Sequence, residues 1–243
     1  MPARLPDFLG LGTQKGGTTS LHQWLSTHPQ VFLPACKEVH YFDLQPEQPT
    51  SWYAQHFQNA QPEQVCGEIT PFYLFHPDVP TRIHAVLPKV RMIVLLRDPV
   101  ERTLSQVFHA RKRGFESLMP EEALAAEASR LQSGNPESLQ KHSYVSRSRY
   151  LEQLNRYETL FSQDQLLILQ SEQLFSEPEK LWVQLLRFLQ LEIIPLTKEF
   201  PQANRREGIT NSVSKAVKNK LRNELAATAL GVRERYGFGW DWA

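Results

Sequence analysis

Gly12-Thr13-Gln14-Lys15-Gly16-Gly17-Thr18-Thr19-Ser20 is the first stretch whose residue types could do chemistry. It follows the apolar run Phe8–Leu11 and precedes an amphipathic segment. Paired glycines let backbone N–H groups turn inward, and a helix start just beyond them adds free donors and a positive dipole end. The hydroxyls of Thr18, Thr19 and Ser20 can contact anion oxygens or simply cap that helix. A plain glycine turn with a solvated lysine is the simpler alternative. Set against the triphosphate-binding pattern G-x-x-x-x-G-K-[ST], the glycine spacing fits from Gly12. The lysine slot, however, holds Thr18, and Lys15 lies three residues earlier. Phosphate-like binding survives that difference, whereas the β/γ-phosphate contact of a kinase or ATPase does not.

A second cluster is Arg97-Asp98-Pro99-Val100-Glu101-Arg102-Thr103-Leu104-Ser105, directly after the apolar run Met92–Leu96. Arg97 would leave the carboxyl end of a strand, where open α/β sheets bind ligands. On the helix that Pro99 starts, Arg102, Ser105 and His109 share one face, opposite the apolar stripe Val100, Leu104 and Val107. An arginine fork and a hydroxyl can grip one phosphate there. Arg97 tied to Asp98 or to a helix end is the plainer reading. Between these clusters, Lys37-Glu38-Val39-His40-Tyr41-Phe42-Asp43 reads by itself as a surface carboxylate paired to Lys37, next to core aromatics. His40 and His109 read either as helpers in the chemistry or, more plainly, as satisfied structural histidines. Trp52, Tyr53, Phe57, Phe72 and Tyr73 suit either a cleft wall or the core.

The elements that must position these groups alternate. Phe8–Gly12, Val65–Ile69, Met92–Leu96 and Leu166–Leu169 read as buried strands. Helical stripes run over Thr19–Thr27, from Pro99, over Leu151–Phe161, and after Pro178. Such alternation predicts a three-layer α/β/α domain with a mainly parallel central sheet, here a single domain over residues 1–243. The polar, helix-rich segment Gly114–Ser148 is expected to decorate it as an insertion.

The loop Gln14–Leu21 resembles the 5′-phosphosulfate-binding loop of sulfotransferases that use 3′-phosphoadenylyl sulfate (PAPS), most closely the heparan-sulfate N- and 3-O-sulfotransferase type and its bacterial relatives. Further matches occur in the family's order. Glu38 with its paired aromatics resembles the family's catalytic base. Gly67-Glu68-Ile69-Thr70-Pro71 resembles a family segment in which several relatives carry a lysine at the place of Ile69. Arg97 through Ser105 resembles the 3′-phosphate-binding segment. Arg149-Tyr150-Leu151 resembles a helix whose tyrosine lies near the nucleotide, and Phe238-Gly239-Trp240 a terminal signature. Asn204-Arg205-Arg206-Glu207-Gly208 stands where relatives carry a glycine-rich loop, often Lys-Gly-Arg.

The resemblance implies a P-loop-like sulfotransferase fold and sulfuryl transfer from PAPS, with PAP as product and no metal. Lys15 and Glu38 would be catalytic, the first neutralising the leaving group and the second taking the acceptor proton. Lys15, Gly16, Gly17, Thr18, Thr19, Ser20, Arg97, Ser105, Tyr150, Arg206 and Gly208 would hold the donor. The acceptor would be a small molecule or a saccharide. A P-loop-type nucleotide kinase with Asp98 as metal-holding carboxylate and a non-catalytic polyanion-binding module are the competing readings. Magnesium and ATP dependence would mark the first, and binding without turnover the second.

Composition narrows the field. The 243 residues carry 27 Lys+Arg against 26 Asp+Glu, with 41% hydrophobic and 22% charged residues. Those values are ordinary for a globular chain and argue against nucleic-acid binding through bulk charge. Cys36 and Cys66 are too few for a disulfide scaffold and too far apart for a zinc pair. With no signal-peptide pattern and no apolar run near eighteen residues, the expectation is a cytoplasmic protein without a membrane span.

Overall fold

The computed structural model describes residues 4–196 and 213–242. Arg206 and Gly208 therefore lie outside the described residues. Five strands form one sheet: β1 (Phe8–Gly12), β2 (Val31–Phe32), β3 (Val65–Ile69), β4 (Arg91–Leu96) and β5 (Leu166–Gln170). Their order is β2-β3-β1-β4-β5, and every pair is parallel. The helices begin with α1 (Thr18–Leu25), α2 (Thr50–Gln55), α3 (Val79–Val86), α4 (Pro99–Lys112) and α5 (Pro120–Gln132). They continue with α6 (Pro136–Lys141), α7 (Tyr150–Glu158), α8 (Gln173–Ser176), α9 (Pro178–Leu189) and α10 (Lys215–Tyr236). This is the expected α/β architecture, a parallel central sheet with flanking helices. None of the helices among the described residues is long and apolar enough to cross a membrane.

Packing divides the described residues into two compact units, 4–96 with 153–196 and 97–152 with 213–242. The first contains the whole sheet. Strands buried on both faces read as continuous apolar runs, which is why β1 and β4 were legible. Phe8, Ile69, Ile93, Leu95 and Leu169 form one cluster with Leu21, Trp24 and Leu25 of α1 and Leu181, Trp182, Leu185, Leu186 and Leu189 of α9. Each large side chain buried there contributes roughly 1.5–3 kcal/mol. Pro178 starts α9 at its first turn, and the indole of Trp182 donates to Ile194 O at 2.8 Å.

The β1–β3 register sets Phe8 opposite Gly67 and Gly10 opposite Ile69. A Cβ at Gly67 would enter the Phe8 ring, and one at Gly10 would lie 2.8 Å from Ile69 Cγ1. Ile69 is fully buried in this packing, so the position at which relatives carry a lysine is a core position here.

In the second unit, Val100 and Leu104 of α4 pack with Val145, Leu221 and Leu225, the last two from α10. Asp98 caps α4 by accepting from Val100 N (2.8 Å) and Glu101 N (3.0 Å), and the Trp242 indole donates to it at 2.6 Å. The segment Gly114–Ser148 carries α5 and α6, as its helix-rich composition predicts. Glu127 of α5 accepts from Tyr144 N, Val145 N and Ser146 N at 2.7–2.9 Å. The 22-residue α10 has no counterpart in the sequence reading. Its buried face is Leu221, Leu225, Thr228, Ala229 and Val232, a stripe weakened by small and polar members in a lysine- and arginine-rich stretch.

Candidate functional site

The loop after β1 is anchored from beneath. Thr13 presents both its N–H (2.8 Å) and its hydroxyl (3.0 Å) to Leu95 O of β4, and the Ser171 hydroxyl donates to Gly16 O at 2.7 Å. A Cβ on Gly16 would strike the Thr13 hydroxyl and stand 2.8 Å from Leu95 O. Gly17 caps α1 at φ 94°, in the left-handed region, and a Cβ there would meet Leu174 Cδ1 at 2.6 Å. Two glycines are thus required sterically, not merely tolerated. The N-cap residue Gly17 has no side chain to offer the first-turn N–H groups of α1. Such an end suits an anion. Lys15, at the crest, is half-buried with φ 70°. Thr18 and Ser20 are buried and Thr19 is exposed.

Glu38 follows β2, one strand beyond β3. Its Oε1 meets Lys37 Nζ at 2.9 Å and its Oε2 lies 3.5 Å from His40 Nε2. On its other side, His40 Nδ1 lies 2.9 Å from Asp43 Oδ2, whose side chain is fully buried. Burial acts most strongly on Glu38 and pushes it up. The bonds to His40 and Lys37 outweigh it and hold the carboxyl at about 2. Burial likewise pushes His40 down, but its two carboxylate partners raise it to about 9. At neutral pH Glu38 is therefore a carboxylate and His40 an imidazolium. Burial, then the Lys37 ammonium, pushes His22 of α1 down, so Lys37 lies within electrostatic reach of α1.

His40 is a satisfied histidine, as the plain reading has it, and its two partners are the carboxylates of Glu38 and Asp43. Asp43 was missed, although its i+3 spacing from His40 is a visible signal. Tyr53, Phe57, Phe72 and Tyr73 belong to the core; Trp52 remains partly exposed, with its ring stacked 6.2 Å from that of Tyr41. Glu68, also unassigned from sequence, is buried beneath the Glu38 segment. It accepts from Tyr53 OH (2.6 Å) and Tyr73 OH (2.9 Å) on Oε1, and from Thr70 Oγ1 (2.8 Å) and Val39 N (3.2 Å) on Oε2.

In the second unit, Arg97 starts directly after β4 and is half-buried. Tyr150 is fully buried and donates to Arg97 O at 2.8 Å. Ser105 and His109 are partly exposed on α4. Arg102 lies on the face it was expected to share with Ser105 and His109, but it is not open to a ligand. It is fully buried, with Nε on Ser148 Oγ at 2.6 Å and Nη2 on Tyr144 O, because residues 144–148 cover that end of the face. The carboxylate of Asp98 is occupied as a helix cap, which weakens its candidacy as a metal-holding group.

A sulfotransferase-domain family model matches residues 5–228. Over 105 residues, 42% of this chain, the sequence is 42% identical to the membrane-associated sulfotransferase kil1 of Dictyostelium discoideum, covering 22% of that protein. Over 180 residues, 72% of this chain, it is 28% identical to heparan sulfate glucosamine 3-O-sulfotransferase 5 of Mus musculus, covering 50% of that protein. The chain thus spans half or less of these curated relatives. The crystal structure of a sulfotransferase from Alicyclobacillus acidocaldarius shares the fold, with a TM-score of 0.82 over 98% of this chain and 99% of that one at 23% identity. By the extent of the family match, together with the order in which the motifs occur along it, the chain belongs to the sulfotransferase domain family.

Proposed function

We propose that this domain moves a sulfuryl group from PAPS to the hydroxyl or amine of an acceptor. The observation that carries the reading is that one compact unit contains both an anion-ready loop bearing Lys15 and a carboxylate, Glu38, held ionised by Lys37 and His40. The acceptor oxygen or nitrogen forms its bond to sulfur while the bond from sulfur to the bridging phosphate oxygen breaks, and that electron pair leaves with PAP. Glu38 takes the acceptor proton. His40 is held protonated and the Asp43 side chain is fully buried, which leaves Glu38 as the accessible proton acceptor of the Glu38–His40–Asp43 row. Lys15 neutralises the charge growing on the leaving oxygen.

Gly16, Gly17, Thr18, Thr19 and Ser20 are assigned to the 5′-phosphosulfate through backbone N–H groups and hydroxyls. Arg97 and Ser105 are assigned to the 3′-phosphate, with Tyr150 fixing the Arg97 backbone. A sulfuryl group carries less charge than a phosphoryl group, so positioning and side-chain electrostatics suffice without a metal. The relatives named for heparan sulfate support a saccharide acceptor. The formal charge of +1 favours a small or weakly charged one.

The test is transfer of labelled sulfate from PAPS across a panel of sugars, alcohols and amines, followed by mass spectrometry. Label should appear on an acceptor in the presence of EDTA. Phosphoryl transfer from ATP that depends on Mg²⁺ would establish the kinase instead, and PAPS binding without any transfer would establish the binding module.

A further inference from the structure

Glu68 takes no part in the chemistry proposed above, yet it is buried and bonded on both carboxylate oxygens. Four donors converge on it, and three of them are side chains: Tyr53, Tyr73 and Thr70. The fourth is the backbone N–H of Val39, the residue after Glu38. Two further contacts act on the same short segment. Tyr73 OH lies 3.3 Å from Phe42 N, and Arg82 Nη1 donates to Phe42 O at 2.9 Å. Between these fixed points stands His40 with φ 58°, a left-handed conformation that a non-glycine residue holds only when its surroundings impose it.

We propose that Glu68 is a positioning residue: with Tyr53 and Tyr73 it clamps residues 39–42 from below and so sets the Glu38–His40–Asp43 row in its working geometry. The inference rests on the assignment of Glu38 as the base. Its logic is one of connectivity. β3 is rigid, paired on both sides by β1 and β2, and Glu68 lies within it. Burial pushes the Glu68 carboxyl up and its four donors pull it back down, so the bond from that strand to Val39 N belongs to one mutually supporting set. Burial, then the Glu68 charge, pushes Tyr53 and Tyr73 well above the ordinary phenol range, so both stay donors to the carboxylate.

The test compares wild type with Glu68→Gln, which keeps the shape but offers one acceptor oxygen where the carboxylate offers two. Tyr73→Phe is the milder companion, in case the buried glutamine prevents folding. Amide hydrogen exchange is followed over residues 38–43 and over β4. The expected result is exchange about tenfold faster at Val39 in Glu68→Gln and at Phe42 in Tyr73→Phe, the scale of one lost hydrogen bond, with β4 unchanged. Turnover should show kcat down roughly tenfold or more with the PAPS KM unchanged, because the loop that holds the donor is anchored elsewhere.

Unaltered exchange at Val39 and Phe42 overturns the clamp. Faster exchange throughout the sheet makes Glu68 a merely structural group, and a loosened segment with unaltered kcat does the same. If wild type transfers no sulfate to any acceptor, the reaction reading fails and the exchange data alone decide whether the clamp exists.

Discussion

Glu38 shares its carboxylate between Lys37 and His40, and the tension between burial and those partners sets what it can do. Held at about 2, it is ionised throughout the physiological range. Glu38→Gln keeps the size and removes the base, so turnover on the preferred acceptor should fall about 10²–10⁴-fold with PAPS affinity little changed; steady-state kinetics beside calorimetry reads both. His40 tests the row from the other side. Its folded pKa of about 9 lies above the ordinary 6.5, so its pairing stabilises the fold fully below pH 6.5 and is lost as pH rises through 9. Glu38 contributes in the opposite sense, fully above pH 4.5 and decreasingly as pH falls toward 2. Asp43→Asn removes the second-ranked influence on His40 after burial, so its imidazole should titrate well below the wild-type value, as NMR of the ring protons would show. A histidine titrating near 6.5 in the wild type would contradict the row.

At the scale of elements, the junction between β4 and α4 carries the clearest expectation. Asp98 caps the helix and Tyr150 holds Arg97 O, so the arginine backbone is fixed before any ligand arrives. If Arg97 and Ser105 hold the 3′-phosphate, PAPS should bind roughly 10²–10⁴-fold better than adenylyl sulfate, at 1.5–3 kcal/mol for each charged hydrogen bond. Arg97→Ala should erase most of that preference and leave adenylyl sulfate binding nearly untouched. A wild type indifferent to the 3′-phosphate would refute both assignments. This junction was legible in sequence because Pro99 and the apolar stripe announce it. Arg102 was not, because helical periodicity gives a direction around the axis and says nothing of what covers it. The same limit hid Glu68, whose neighbours Tyr53 and Val39 lie 15 and 29 residues away. It also hid the two-residue β2, too short to show a pattern.

For the whole molecule, near-neutral charge sets an expectation for partners. An acceptor recognised by bulk charge would bind steeply less well as salt rises, because exposed charges are screened beyond roughly 8 Å at physiological ionic strength. With a formal charge of +1, the KM for the preferred acceptor should change less than about threefold between low and moderate salt. A steep salt dependence of initial rates would instead point to a polyanionic chain as acceptor. The architecture that carries all of this depends on an exchange between two strands. Phe8 fills the place where Gly67 has no side chain, and Ile69 fills the place where Gly10 has none. Each strand is the mould for the other, and the match holds at a single offset. A slip of two residues would set Phe8 against Ile69, with an overpacking cost of about 1–3 kcal/mol, and two glycines elsewhere against nothing. The notched pair therefore works like the wards of a key. It fixes how far β1 and β3 each run before they end, and hence the relative heights at which the Lys15 loop and Thr70 leave the sheet.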